Sequence, residues 1–202
     1  MSLPGRLLTF FPALQIALCV LCIGRGFWWL LPLIVYALPL AAFRLINLVL
    51  PLREGRSFLD GPRYSPWWGS HNLQRLFIAV PQLESLLQLI PGAFSVWLRL
   101  WGSRVGRRVY WTPRVEVADR GLLDIGDDVV VGHKFECYAH VIKPARGRLI
   151  LYVRRVRIGS GAFLGAGVRM GPGARVEEGA FVPTLTDVYV NRVVRAEEAR
   201  PS

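Results

Sequence analysis

The stretch from Ile158 to Pro183 reads IGSGAFLGAGVRMGPGARVEEGAFVP, and an aliphatic residue returns in it at every sixth position. Such a period fits neither a helix, which repeats every 3.6 residues, nor an ordinary strand, which repeats every second residue. A six-residue repeat is typical of a parallel β-helix, in which each hexad gives one short strand and one corner, and stacked coils share a buried column. The positions predicted to face inward are the aliphatic ones and the mostly small ones four places later: Ile158, Leu164, Met170, Val176, Val182, and Ala162, Val168, Ala174, Ala180, Thr186.

The same register continues upstream of this stretch, in two blocks that a two-residue insertion within Asp119 to Asp124 separates. Together the blocks give eleven hexad starts, too many for a Gly-rich loop that alternates by chance. We therefore expect a mainly β repeat domain over residues 102–191 and a tail over 192–202 that forms a short helix or frays. The upstream hexads begin at Val105, Trp111, Val117, Ile125, Val131 and Cys137.

Composition favours a membrane partner. The chain of 202 residues carries a formal charge of +11, and 52% of its residues are hydrophobic. An excess of arginine suits nucleic acid, an anionic membrane face or an acidic cofactor. No zinc-finger spacing, RNA-binding signature or basic helix supports nucleic acid. Three cysteines are too few for a disulfide framework, and Cys19 and Cys22 lie in an apolar run without further metal ligands.

Residues 1–50 predict a membrane helical hairpin, because the uncharged apolar runs 7–23 and 27–43 have 17 residues each. A cleaved signal peptide and a re-entrant hairpin are the alternatives, the latter favoured by prolines within the runs. Arginines after the second run place that flank in the cytoplasm by the positive-inside rule. We therefore expect the bacterial inner membrane, with the β-helix facing the cytoplasm. The prolines and arginines are Pro12, Pro32, Pro39, Arg44, Arg53, Arg56 and Arg63.

Residues 51–101 predict an interfacial linker with amphipathic helices. From His71 to Trp101 apolar residues recur at helical spacing, and Pro81 and Pro91 divide the region into one or two short helices. Tyr64, Trp67 and Trp68 suit the headgroup level of a bilayer, and His71 fits an interfacial position. The alternative is a helical cap over the first coil, and the two interpretations are compatible.

The hexad register fails between Val141 and Ile158. Residues 143–148 predict a loop, and residues 149–153 alternate as a strand does. His140 stands directly before the break in an outward position, and insertions into a rigid coil commonly carry function. We expect Lys143, Arg146 and Arg148 to form a substrate loop beside this histidine.

Several segments resemble those of the hexapeptide-repeat acyltransferases: LRLWGSRVG at 98–106, IGD at 125–127, a histidine before a broken coil, and VRIG at 156–159. The likeness is to the membrane-associated branch, which includes acetyltransferases of exopolysaccharide assembly and repeat domains joined to membrane helices in poly-amino-acid synthetases. It covers the C-terminal half of the chain. It implies a left-handed parallel β-helix of hexapeptide repeats, a homotrimer with active sites between subunits, and acetyl-CoA or another acyl-CoA along the coils.

The resemblance implies that His140 is the general base, and imidazole chemistry near pH 6.5 suits that role. His133 is the alternative base. The acidic residues that follow the histidine in the synthetase-linked branch are missing here, so a backbone carbonyl or Glu136 would have to orient the ring. For CoA, the turn of Gly165, Ala166 and Gly167 would contact pantetheine, and Arg169 and Arg175 would meet the phosphates; no metal is expected.

The sequence therefore predicts a membrane-anchored O- or N-acyltransferase, most simply an acetyltransferase, acting on a saccharide, lipid or secondary metabolite. Its donor is acyl-CoA or an acyl carrier protein. The basic surface would suit an acidic carrier protein. One alternative is a non-enzymatic trimeric membrane scaffold. A γ-class carbonic anhydrase is another, but it needs three histidine ligands, and this chain has three histidines with one outside the repeats.

Overall fold

Two apolar helical segments open the structure, a computed structural model that describes residues 3–61, 64–145 and 147–196. The first contains α1 (Leu3–Thr9) and α2 (Phe11–Gly24). The second runs through a 3₁₀ turn (Trp28–Leu30) and a π-helical stretch (Leu33–Ala37) into α3 (Leu38–Val49). Proline occupies the first turn of α2 and of α3, where its missing N–H leaves no helical bond unmade.

These segments are mostly uncovered. They span Leu3–Gly24 and Trp28–Val49, 22 residues each, and only 6% and 11% of their most apolar windows are buried inside the protein. Both are long and apolar enough to cross a bilayer, as the sequence suggests. Signal sequences share those properties, so the crossing stays a prediction.

After the edge strand β1 (Gly55–Phe58), three helices follow: α4 (Pro66–Ala79), α5 (Gln82–Gln88) and α6 (Ala93–Trp101). The prediction of one or two helices is corrected here. α4 begins before His71, because the side chain of Ser65 accepts a hydrogen bond from the Trp68 backbone N–H at 3.4 Å and caps the helix. The expected headgroup position of Trp67 is also wrong, since its side chain is 3% exposed.

The repeat domain consists of three parallel sheets, stacked in an arrangement consistent with a left-handed β-helix. Each full coil contributes one strand to each sheet. Sheet 1 holds β2 (Arg104–Val105), β5 (Leu123–Ile125), β10 (Val156–Ile158), β13 (Arg175–Val176) and β16 (Val193–Val194). Sheet 2 holds β3 (Tyr110–Trp111), β6 (Val130–Val131), β11 (Phe163–Leu164) and β14 (Phe181–Val182). Sheet 3 holds β4 (Glu116–Val117), β7 (Glu136–Cys137), β12 (Arg169–Met170) and β15 (Asp187–Val188).

Every predicted hexad start is the last residue of a strand, and all are buried except the half-buried Trp111. The coils continue past the predicted end of the repeat at residue 191, because Val194 stacks on Val176. The expected tail therefore begins with a strand, β16. Residues 197–202 lie outside the described part of the chain.

The predicted loop at residues 143–148 is instead the end of an antiparallel hairpin, β8 (His140–Ala145) and β9 (Arg148–Val153). The register pairs Ala145 with Arg148, and Gly147 takes a positive φ of 71° at this end of the hairpin. β1 pairs with the other edge of β9 and completes a three-stranded sheet. The strand predicted at 149–153 is confirmed.

The helices cap the first coil, as the alternative interpretation of residues 51–101 predicts. Leu98 and Trp101 are fully buried and belong to the same hydrophobic core as the coil residues Val105 and Val117. Phe43 of α3 packs on Trp101, with ring centroids 4.9 Å apart. One continuous core therefore joins the second apolar segment, the helices and the β-helix.

Candidate active site

Asp119 and His140 lie at the same corner of successive coils, where the chain passes from sheet 3 to sheet 1. Asp119 follows β4 within the two-residue insertion, and His140 follows β7 on the next coil and begins the hairpin. Oδ2 of Asp119 lies 2.7 Å from Nδ1 of His140 and also accepts a hydrogen bond from the backbone N–H of Ala139 at 2.8 Å. The two interruptions of the hexad register thus bring a carboxylate and an imidazole together.

The electrostatics of this pair fix the histidine tautomer. Burial would raise the pKa of Asp119, but hydrogen bonds from His140, Trp67 and the Ala139 backbone outweigh it and hold the pKa below its ordinary value of 3.8. An ionised carboxylate only accepts hydrogen bonds, so Nδ1 of His140 carries the proton. In the neutral form of the ring Nε2 is then the acceptor nitrogen, and it is neither hydrogen-bonded nor fully buried among the described residues. A neutral imidazole held this way can act as a general base.

Helix α4 supplies the third member of the site. Nε1 of Trp67 donates to Oδ1 of Asp119 at 2.9 Å, and the Trp67 ring lies against the ring of His140, with centroids 4.4 Å apart. His71, one turn further along α4, stacks on Trp67 at 4.9 Å and meets His140 edge-on at 5.7 Å. The helical region therefore forms one wall of the site, and His71 belongs to that wall; its expected interfacial position stays a prediction.

Arg120 anchors the insertion from within. Its side chain is fully buried, and its Nε donates to Oε1 of Glu84 at 2.7 Å. Its backbone N–H donates to Oε1 of Gln74 at 2.9 Å. Trp97 donates to the same Glu84 oxygen at 2.7 Å. Because breaking a buried ion pair costs about 3–5 kcal/mol, this network holds the turn that carries Asp119 firmly on α4 and α5.

The two candidate bases lie at different corners. His133 is exposed at the corner between sheets 2 and 3. Its side chain has no hydrogen-bond partner among the described residues. Its backbone carbonyl accepts from the Gly167 N–H at 2.7 Å, so it lies beside the predicted pantetheine turn. Glu136, the predicted orienting carboxylate, accepts instead from the Tyr138 hydroxyl at 3.1 Å. The partner of His140 is Asp119.

The residues predicted to bind CoA are divided among separate surfaces. Arg169 lies on sheet 3 and forms a two-bond ion pair with Asp187 at 2.7 and 2.8 Å. Arg175 lies on sheet 1 and lines a groove of about 550 Å³ together with Arg157. Gly165 is needed for coil stacking, because a Cβ there would lie 2.6 Å from the Thr184 backbone nitrogen. Ala166 and Gly167 share its corner, and Arg169 begins the next strand two residues after Gly167.

The predicted substrate-loop residues occupy the hairpin. Lys143 is exposed on β8, an odd number of positions from His140, so the two side chains leave opposite faces of the strand. Arg148 lies at the far end, with its guanidinium 3.7 Å from the Phe58 ring centre and its Nε 3.6 Å from Asp60. Arg146 lies outside the described residues.

Two large cavities border the helical region. One of about 900 Å³ lies between the second apolar segment and α5–α6, and no member of the Asp119–His140 pair lines it. Another of about 770 Å³ reaches from Val49 at the end of α3 to Trp67, and it is bordered by Arg53, Arg56 and Arg148. Only the second shares a wall with the site, although the first is larger.

Asp119, Trp67 and His71 were not predicted as site residues. The two-residue insertion was a signal for Asp119, because hexad stacking pairs Val117 with Cys137 and so sets Asp119 beside Ala139. Trp67 and His71 left no comparable signal, since periodicity does not say which corner a helix covers. Within the described ranges no group of three or more His, Cys, Asp or Glu side chains is arranged to hold a metal ion.

Neither a protein-family model nor a curated protein matches this chain. Among solved structures, it is similar to a hexapeptide-repeat acetyltransferase of Vibrio cholerae O1 biovar eltor complexed with acetyl-CoA, at 16% identity and a TM-score of 0.45, over 71% of this chain and 93% of that one. A second structure of this Vibrio cholerae acetyltransferase matches at 14% identity and 0.38, over 59% and 87%. Serine acetyltransferase isoform 3 of Entamoeba histolytica, in complex with cysteine, matches at 13% and 0.19, over 85% and 73%. The β-helix assignment rests on the strand pairing of this chain itself.

Proposed function

We propose that this protein is a membrane-associated acyltransferase that moves an acyl group, most simply acetyl, from acyl-CoA to a hydroxyl or amine. The observation that carries the proposal is the Asp119–His140 pair, with Nδ1 held at 2.7 Å from the carboxylate and Nε2 left open. A surface histidine without a role has no need of a buried, ionised partner.

In the proposed reaction, Nε2 of His140 takes the proton of the acceptor O–H or N–H as that atom attacks the thioester carbonyl. A tetrahedral oxyanion forms, and Asp119 stabilises the imidazolium that results. Collapse of the intermediate breaks the carbon–sulfur bond and makes the ester or amide. His140 returns its proton to the leaving thiolate, so the enzyme is regenerated and CoA departs as the thiol.

The sheet 1 groove is the proposed site of the donor phosphates. Arg157 on β10 is paired in register with Arg175 on β13, and both residues line this groove. Guanidinium groups match phosphate geometry with paired hydrogen bonds. Arg169 is a weaker candidate, because Asp187 already accepts hydrogen bonds from its Nε and Nη2.

A homotrimer is the proposed assembly, and sheet 2 supplies its apolar surface. The outward residues of sheet 2 form an in-register ladder of Tyr110, Val130, Phe163 and Phe181. Phe163 and Phe181 stack with ring centroids 5.4 Å apart. The other two sheets point mainly charged residues outward: Arg104, Asp124, Arg157 and Arg175 on sheet 1, and Glu116, Glu136, Arg169 and Asp187 on sheet 3.

The acceptor is proposed to be amphiphilic, at the cytoplasmic face of the bacterial inner membrane. The apolar segments are uncovered, and the cavity that shares Trp67 with the site begins at the end of the second segment. Its arginines suit an anionic headgroup, and the neighbouring Leu48 and Val49 are 80% and 79% exposed, which suits hydrocarbon. A lipid-linked saccharide or lipid with a free hydroxyl has this chemistry.

The test is acyl transfer by the full-length protein in detergent, with radiolabelled acetyl-CoA and a bacterial lipid extract as the acceptor pool. Label should enter the lipid fraction with wild type and with His133→Ala but not with His140→Ala. Acetyl-CoA should also raise the unfolding temperature of all three proteins, because it binds the folded state. Label transfer by His140→Ala that equals wild type would overturn the proposed base, and stabilisation by no acyl-CoA would favour a carrier-protein donor or a scaffold.

A further inference from the structure

His71 lies inside the candidate site without a role in the chemistry described so far. It comes from α4, and its ring contacts two members of the site: it is stacked on Trp67 and edge-on to His140. The ring centres of His71 and His140 are 5.7 Å apart, near enough for one small substrate group to contact both. His133, the remaining histidine, has no such neighbours among the described residues.

The two ring nitrogens of His71 have different surroundings. Nδ1 is fully buried and has no hydrogen-bond partner, whereas Nε2 is neither bonded nor fully buried in the described part of the chain. A buried N–H without an acceptor is rarer in proteins than an unused acceptor. The ring therefore keeps its bare lone pair at the buried Nδ1 and its proton at Nε2, which is accessible. This tautomer is the reverse of the one that Asp119 imposes on His140.

The site also keeps His71 uncharged. Burial, and then the nearby His140, lower the pKa of His71 from 6.5 to about 4, against a smaller opposing effect of Asp119. When His140 is in the neutral form that a general base requires, the site pairs two imidazoles with opposite tautomers. One exposes an acceptor nitrogen, and the other exposes an N–H donor.

We infer that His71 is a second catalytic residue, whose Nε2–H donates a hydrogen bond to the oxygen of the acyl group as it becomes an oxyanion. This inference rests on the proposed function. It adds stabilisation of the oxyanion, which the general base alone does not provide. A neutral imidazole is suited to the task, because it donates without transferring its proton and does not repel the imidazolium that forms on His140. Pre-placed donors of this kind contribute most where charge develops in the transition state.

Two substitutions separate donation from packing. In His71→Phe a ring remains to stack on Trp67, but the donor is lost. In His71→Gln the side-chain amide nitrogen can occupy nearly the position of Nε2, so a donor is retained. Removing one donor to an oxyanion lowers kcat by about 10²–10³-fold in other enzymes. We expect that loss of kcat in His71→Phe, an unchanged KM for acetyl-CoA, and recovery of at least ten-fold of the loss in His71→Gln. His133→Phe serves as the matched control.

Selective ¹⁵N labelling of histidine gives a readout that does not need turnover. The chain has three histidines, so single substitutions assign every signal. We expect Nε2–H for His71 and Nδ1–H for His140 at neutral pH. A His71 with its proton on Nδ1, or one that is charged at pH 7, would overturn the inference.

The kinetic outcomes distinguish this inference from the proposed function. If wild type transfers acyl groups and His71→Phe is as fast, only the role of His71 fails. If His71→Phe is slow and His71→Gln is equally slow, the ring acts by packing and the donor role fails. If wild type transfers nothing from any acyl-CoA, the proposed function fails and takes the catalytic role of His71 with it.

Discussion

The indole nitrogen of Trp67 donates a hydrogen bond to the buried carboxylate of Asp119 at 2.9 Å, and so ties helix α4 to the first coil of the β-helix. Replacing Trp67 with Phe keeps an aromatic ring against His140 but leaves one carboxylate oxygen without its donor. We expect destabilisation by about 1–3 kcal/mol and a fall in kcat, because Asp119 then holds His140 less rigidly. Thermal unfolding and label transfer measure the two effects. Trp68→Phe is the control, since the indole N–H of Trp68 donates to the Thr9 hydroxyl, at 3.3 Å, and not to the Asp119–His140 pair. Equal turnover in the two variants would contradict a site completed by α4.

Asp119→Asn should remove the base without removing the fold. The amide can turn its NH₂ toward Nδ1, which moves the histidine proton to Nε2 and takes away the acceptor. The analogous change in a Ser-His-Asp triad lowers kcat by about 10⁴-fold, and we expect a loss of at least about 10²-fold here, with acetyl-CoA binding kept. Glu136→Gln, at the carboxylate that the sequence suggested, should transfer label at the wild-type rate. The opposite ranking would return the orienting role to Glu136.

The half-buried His71 predicts a loss of stability in mild acid. Its pKa is about 4 in the folded protein and 6.5 ordinarily, so between these values the unfolded chain binds a proton that the folded chain does not. Stability should therefore fall as the pH drops from 6.5 to 4, by no more than about 3.5 kcal/mol at roughly 1.4 kcal/mol per pKa unit. The groups around the ring are His140, Asp119, Arg75 and Arg120. Denaturant unfolding of wild type and His71→Phe should show a flatter pH dependence in the variant, and parallel curves would contradict the prediction.

The apolar ladder of sheet 2 predicts self-association. A carboxylate in place of Phe163 would lie between Val130 and Phe181 in the ladder and would have to be desolvated in any interface. We expect Phe163→Asp to convert a trimer to monomers, as measured by sedimentation in detergent, while Arg104→Glu on the charged sheet 1 leaves it intact. A trimer that survives the first change would place the interface elsewhere.

The two arginines assigned to CoA should behave differently. Arg175→Ala should weaken acetyl-CoA binding by about ten-fold, because the sheet 1 groove loses a charge-assisted phosphate contact. Arg169→Ala removes an exposed ion pair with Asp187 and should leave binding nearly unchanged. Titration calorimetry with acetyl-CoA and with its 3′-dephospho form measures both. Weaker binding in Arg169→Ala alone would move the donor to sheet 3.

The periodicity of the sequence predicts the β-helix because each inward residue, such as Leu164 or Val176, has no other way to be buried than in a stack of coils. It does not predict the hairpin end, where Pro144 and Gly147 favour a loop. β8 and β9 form strands there because the linker strand β1 covers the edge of β9. That partner lies about a hundred residues earlier in the chain, beyond the reach of local propensity.

The candidate site was predicted in part for a similar reason. His140 is recognisable because the coil breaks directly after it, and Asp119 lies at the smaller break one coil earlier. Trp67 and His71 come from an amphipathic helix whose period identifies an apolar face. Which corner of the β-helix that face covers is decided by the fit of whole surfaces, including the burial of Arg120 against Glu84.

The number of stacked coils also fixes the distance between the Asp119–His140 pair and Arg175. Asp119 and His140 belong to the first two coils, whereas Arg175 lies on β13, two strand pairings beyond β5. Neighbouring strands are about 4.8 Å apart, so the number of intervening coils sets how far a donor anchored at Arg175 must stretch to present its thioester to His140. One additional coil of three hexads between them would lengthen that distance by about 4.8 Å. Neither the Asp119–His140 pair nor Arg175 would be changed chemically. If the donor binds as proposed, the length of the repeat domain is itself an element of specificity.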